Sequence, residues 1–164
     1  MNRKTGKILT MLLLSASFLL SGCSKSDDVL DILTGRVWHL TYNPQNLSKL
    51  FTDETEYEKA LQTLNEGNNY TIAFQGAETN GAFGGTFSAR ASNASFSGTW
   101  RADGVTRELS LVVQTTSGSE TNALGKEFVR CIHNVTKYEG NDKSLLIYYK
   151  NGNSPYLGFT PKNQ

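Results

Sequence analysis

The chain has 164 residues, with 16 Lys and Arg against 15 Asp and Glu and a net charge of +1. That length suits one domain with its own core, and the balanced charge lacks the basic footprint that nucleic acid requires, so no nucleic-acid partner is expected. Two cysteines and two histidines exclude a disulfide scaffold and leave no Cys/His pairs at zinc-ligand spacing, so neither a metal nor another cofactor is expected.

The first segment reads as a secretory leader. Arg3, Lys4 and Lys7 make a basic start, Ile8 to Leu20 an apolar run, and Ser21-Gly22 a small-residue step before Cys23. The run is shorter than the roughly 20 apolar residues that span a bilayer. Leu20-Ser21-Gly22-Cys23 resembles the bacterial lipobox, which implies cleavage before Cys23 and a diacylglycerol on its sulfur. Several acyl chains on one residue give stable membrane attachment. The expected division is therefore a signal peptide over 1–22, an acidic tether over 23–33 and a folded domain over 34–164. Removing the leader takes three basic residues and no acid, which shifts the net charge from +1 to −2. With Cys23 lipidated, Cys131 has no partner for an intrachain disulfide. "SKSDD", residues 24–28, resembles the acidic export signal of surface lipoproteins of Bacteroidetes type. The expected location is the outer membrane, lipid-anchored, at the cell surface or on the periplasmic face.

After the tether, Trp38, Leu40 and Tyr42 alternate with Val37, His39 and Thr41, the period of a strand with one buried face. Asn43-Pro44 suits the start of a short helical turn. Asp53 followed by Glu56 suits the cap of a helix ending at Gly67. Leu47, Leu50 and Phe51, then Tyr57, Leu61 and Leu64, keep helical steps. The acids Asp53, Glu54, Glu56 and Glu58 lie at a helix N-terminus, where the macrodipole favours them; this explains their clustering better than a metal does.

From Asn69 the pattern is a β-meander. Tyr70, Ile72 and Phe74 alternate, then Phe83, Phe87 and Ala89, with Gly84-Gly85 permitting a bulge or tight bend. Ala94, Phe96, Gly98 and Trp100 face inward against Ser95, Ser97 and Thr99. An Asp103-Gly104 turn leads to Leu109, Leu111 and Val113. Leu124, Phe128, Cys131, Ile132 and Val135 are spaced as one amphipathic helix. Two strands, "SLLIYY" and "SPYLGFT", close the chain around Asn151-Gly152. The expectation is a β-dominated α+β domain, an antiparallel meander of about seven strands forming a small barrel or sandwich, with two helical insertions.

"GRVWHL" at residues 35–40, "FSGTWRADG" with "LSLVV" behind it, and "KEFVRCIHNVTKYEGNDKSLLIYYKNGNSPYLGF" at 126–159 resemble META/HslJ-like domains and lipocalin-like (calycin) bacterial lipoproteins. The resemblance covers most of the mature chain. It departs from the family where META domains carry a Gly-Cys-Asn segment and a further cysteine before the helix. The chain is therefore identified as a META-like or calycin-like relative, within an uncharacterised lipoprotein family of Bacteroidetes type. The resemblance brings no catalytic residues, only a loose link to envelope stress and secretion.

Chemistry-bearing motifs are sparse. His39 lies on the strand face opposite Trp38. His133 and Cys131 stand two apart, on different sides of a helix, and Cys131 falls on the apolar stripe as a small buried hydrophobe. Glu78, Asp103 and Glu108 are the carboxylates a hydrolase would pair, although strand-end acids are ordinarily solvated. No catalytic residue is assigned. Aromatics on nearly every strand fit a core first. A ligand patch for a glycan or small apolar molecule is the alternative, with Trp38, Trp100, Tyr148 and Tyr156 as its candidates and the last two the most exposed. The functional expectation is a non-catalytic envelope protein, tied to the membrane through Cys23, that binds a ligand or an envelope partner or maintains the envelope. An inhibitor or ligand-binding surface lipoprotein and, further off, a hydrolase are the alternatives. Ligand and oligomeric state are not specified by the sequence.

Overall fold

The structure is a computed structural model and describes residues 28–41 and 48–162. Elements follow in the order α1 (Asp28–Leu33), β1 (Val37–Leu40), a 3-10 turn at Ser48–Leu50, α2 (Glu54–Asn65), β2 (Thr71–Thr79), β3 (Ala82–Arg90), β4 (Ala94–Ala102), β5 (Leu109–Gly118), α3 (Ala123–Asn134), β6 (Val135–Gly140), β7 (Leu145–Tyr149) and β8 (Tyr156–Pro161). The strands form one sheet in the order β5-β4-β3-β2-β1-β8-β7-β6, antiparallel at every junction. The sheet curls into an incomplete barrel, which is the β-dominated α+β meander the strand spacing implies.

Local chemistry explains most boundaries. Asp53 caps α2 by accepting from the Thr55 N–H at 2.7 Å, and Gly67 follows that helix at φ +70°. Asn122 caps α3 by accepting from Gly125 N–H at 2.6 Å. Asn80 and Gly81, both at positive φ, make the tight link between β2 and β3, as an Asn-Gly pair suits.

Inward faces match the alternation in the sequence. Trp38, Leu40, Tyr70, Ile72, Phe74, Phe83, Phe87, Ala89, Phe96 and Trp100 are all buried, as are Leu124, Phe128, Cys131 and Ile132 of α3. Phe128 links the helix to the sheet through edge contacts with Tyr70 at 5.7 Å and Phe159 at 6.3 Å.

Four expectations need correction. Residues 28–33 are no tether, because they form α1 and bury Val29, Ile32 and Leu33; the i, i+3, i+4 spacing of those three was the missed signal. Among the described residues there are eight strands and three α-helices, because α1 adds a helix and the chain after Asn134 turns into β6 at Val135, where a helix and a linking segment were expected. The bulge lies between Ser97 and Gly98 against β5, while Gly84-Gly85 runs in regular register with β2 and β4. In the β4–β5 link the positive φ falls on Arg107, with Asp103 accepting from the Val105 and Thr106 N–H groups. Tyr42 and the Asn43-Pro44 turn lie outside the described residues.

Close backbone approach and the Trp100 ring together require glycine in β2 and β3. Gly76 pairs with Gly85, and Gly85 with Trp100. A Cβ on Gly76 would stand 2.8 Å from the Trp100 ring, and one on Gly85 would collide with the Gln75 carbonyl and the Gly76 Cα. The bare backbone lets the indole lie across two strands while its N–H donates to Gln75 C=O at 3.0 Å. Gly85→Ala should therefore destabilise the domain by roughly 2–3 kcal/mol, since backbone cannot yield as a side-chain tip can. Urea unfolding measures this, and an unchanged midpoint would contradict the packing described.

Candidate functional site

The barrel interior is occupied by protein. Trp38 is 0 % exposed and Trp100 1 %, and both indole N–H groups are satisfied internally, Trp38 by Leu33 C=O at 3.3 Å. Their place in the ligand patch is corrected: they are core, because inward alternation on β1 and β4 leaves no route for their rings to reach solvent.

Tyr148 and Tyr156 behave differently. β7 buries Leu145, Ile147 and Tyr149 and turns Leu146 and Tyr148 outward; β8 turns Tyr156 to the same side, directly opposite Tyr148. The two half-buried rings sit 5.5 Å apart at 57°. Lys137 of β6, paired with Tyr148, holds its ammonium 5.7 Å from that ring and 2.6 Å from Glu139 Oε1. The Tyr148 hydroxyl donates to Glu139 Oε2 at 3.0 Å. Hydrogen bonds from Lys137 and Tyr148 hold the Glu139 carboxyl below its ordinary pKa. Hydrogen bonding to Glu139 raises Lys137, and burial, with Glu139 behind it, raises the Tyr148 phenol. The patch is thus a pair of aromatic faces beside a fixed ammonium and carboxylate, able to meet apolar C–H surface and hydroxyl groups together.

The titratable candidates are dispersed, each in its own setting. Cys131 is fully buried in α3, and burial, followed by the charge of Glu127, pushes its thiol pKa well up; a thiolate nucleophile is disfavoured there. His133 is exposed, its ring edge-on to Phe96 at 5.8 Å. His39 is half-buried on the outer side of β1 beside Leu64 of α2, with Nε2 lacking a hydrogen-bond partner. Asp103 caps its own turn, Glu108 pairs through its backbone with Lys137 at the seam between β5 and β6, and Glu78 is exposed on β2. Among the described residues no three His, Cys, Asp or Glu side chains are grouped to hold a metal ion. Nor is any helix long and apolar enough to cross a membrane. Cys23 lies outside the described residues.

Sequence reasoning missed Glu127. It is 1 % exposed and accepts from the Tyr149 hydroxyl, from Asn153 N–H at 2.7 Å and Asn153 Nδ2 at 3.0 Å, and from Arg130 at 2.6 Å. An unpaired buried carboxylate would be costly; four donors offset that. The group fastens α3 to the β7–β8 link and performs no visible chemistry. An acid three residues before an Arg on an amphipathic stripe was the only hint.

Fold and surface together define a small curled β-sheet protein whose interior is filled and whose distinctive groups lie outside. The family model for DUF4847, a domain of unknown function, matches residues 24–161, and the chain belongs to that family. A crystal structure of a DUF4847 family protein from Bacteroides vulgatus is similar at 23% identity and a TM-score of 0.59, covering 83% of this chain and 99% of that one; the likeness carries the fold. No curated protein matches the chain significantly.

His39 supplies a pH test of the packing of α2. Burial, and then Lys162, lower its pKa from the ordinary 6.5 against an opposing hydrogen bond at Leu64. Above pH 6.5 the ring is neutral in both folded and unfolded chains. As pH falls below 6.5 the unfolded chain takes the proton first, so stability declines until the folded pKa is passed and then levels. His39→Gln should flatten this decline in urea titrations across that window. An equal slope in wild type and variant would remove His39 as its source.

Proposed function

We propose that the protein is a non-catalytic binding module of the outer membrane, tethered through a lipid on Cys23, that recognises a glycan on the Tyr148–Tyr156 face. The observation that carries this is the contrast between a filled interior and two neighbouring tyrosine rings left half-open beside Lys137 and Glu139. A pyranose ring presents C–H groups on one face and hydroxyls around its edge. The rings meet the first; the ammonium and carboxylate meet the second. The resemblance to META/HslJ-like domains, with their loose link to envelope stress and secretion, supports an envelope setting. The lipobox-like Leu20-Ser21-Gly22-Cys23 supports the anchor, and the acidic residues behind it support display at the surface.

Two experiments test the reading. Expressed in a Bacteroides host, the wild-type chain should partition with outer membranes and incorporate labelled palmitate, whereas Cys23→Ala should do neither. Label in the alanine variant would refute the anchor. On a glycan array, the mature protein should retain a defined set of sugars, and Tyr148→Ala with Tyr156→Ala should weaken retention about tenfold or more, the loss of two ring contacts of about 1 kcal/mol each, with unfolding temperature little changed. Full retention by the double variant, or no glycan bound by wild type, would refute the platform.

A further inference from the structure

The sheet has two ends, β5 and β6, and they meet only at the bottom of the seam. There Glu108 bridges Lys137 and Tyr138 N–H donates to Arg107 C=O at 2.9 Å. Above that point β5 pairs with β4 on one side, and among the described residues no backbone hydrogen bond reaches its other side. Residues 109–119, "LSLVVQTTSGS", contain no charge and no proline, the usual devices that keep an edge strand from recruiting another chain. Only the bulge against Ser97/Gly98 interrupts it. Val112 is 57 % exposed.

Across the upper seam α3 faces this edge. Phe96, Thr116 and Gly118 on the sheet side, and Lys126, Arg130 and His133 on the helix side, enclose a groove of about 450 Å³. Glu120 also lines it, but its oxygens are taken by Ser92, the Asn93 N–H and Asn122. Arg130 uses one nitrogen on Glu127, leaving further guanidinium donors. The groove therefore offers unpaired strand backbone on one wall and, on the other, the cations Lys126 and Arg130 with the His133 imidazole as a further donor.

We infer that an extended, acidic segment of a partner protein adds as a strand to the free edge of β5, its carboxylates reaching Lys126, Arg130 and His133. Main-chain pairing supplies affinity and the alternate side chains supply selectivity. A second copy of this chain fits less well, because its own free edge has no acid to offer Lys126 and Arg130. The site is separate from the Tyr148–Tyr156 face and independent of what binds there.

Amide hydrogen exchange on the mature chain in detergent tests this, with a synthetic peptide of alternating Thr and Glu, about eight residues long to match a strand. The same peptide with Lys for Glu is the control. The acidic peptide should slow exchange within residues 110–118 by about tenfold or more and leave β2 and β3 unaffected; the basic peptide should not. Lys126→Glu combined with His133→Glu should reverse the preference, and if that variant fails to fold, the two peptides on wild type decide alone. No protection by the acidic peptide, or equal protection by both, would overturn the inference. So would β5 already protected at the mass of a dimer, which would give the edge to a second copy.

Discussion

A curled sheet whose end strands part above their first contact needs apolar packing beneath the opening, and everything else here depends on α3 supplying it. The helix drives Phe128 between Tyr70 and Phe159 and buries Leu124, Cys131 and Ile132 beneath the opening. Apolar contact alone would let a helix slide along such a gap. Glu127 prevents that by converging on Tyr149, Asn153 and Arg130, so that the helix is keyed to one position on β7 and its following link. At the N-terminus of the helix, Asn122 caps it while accepting from the Tyr70 hydroxyl and donating to Ser92. Directional polar contacts at the cap and at Glu127, with the Phe128 ring beside them, fix a wedge that hydrophobicity would leave underdetermined.

Filling the interior and exposing chemistry outside are two sides of one choice of residues. Trp100 needs bare backbone at Gly76 beside its ring, so the inward face of β2 gives up a side chain to seat the indole. Bulkier outer groups gather on β6, β7 and β8, where Lys137, Tyr148 and Tyr156 form one cross-strand row. In barrels of this strand number the interior either fills or holds one small ligand. Here side chains take that space.

Much of this was legible from period alone. Inward residues of β1 to β4 followed from alternation, and α3 from its three- and four-residue steps, because burial on one face writes a period into the chain. What escaped was information that period does not carry. Trp38 and Trp100 have the same amphipathic chemistry as an exposed ligand-binding ring, and only register with Gly76 and Gly85 reveals that the Trp100 site is closed. Val135 continues the helical spacing of α3 yet begins β6, since a branched residue fits both periods and tertiary pairing with Tyr149 decided. Glu127 reads as a solvent-facing acid until Asn153, far along the chain, is placed beside it. Tyr148 and Tyr156 were recoverable because adjacent strands joined by a short link must present like-facing residues together.

The placement of β1 bears on how the chain acquires its structure. This short strand is hydrogen-bonded to β2 on one side and to β8 on the other, so Trp38 finds one partner in the next strand and another in the last. A nascent chain can zip β2 to β5 as local hairpins, but its first strand stays half-paired until the last one arrives. Contacts of such long sequence separation slow folding. They also make completion all-or-none: a chain cut short before β8 would leave two strands, β1 and β7, with open sides, a species prone to aggregation rather than a smaller working domain.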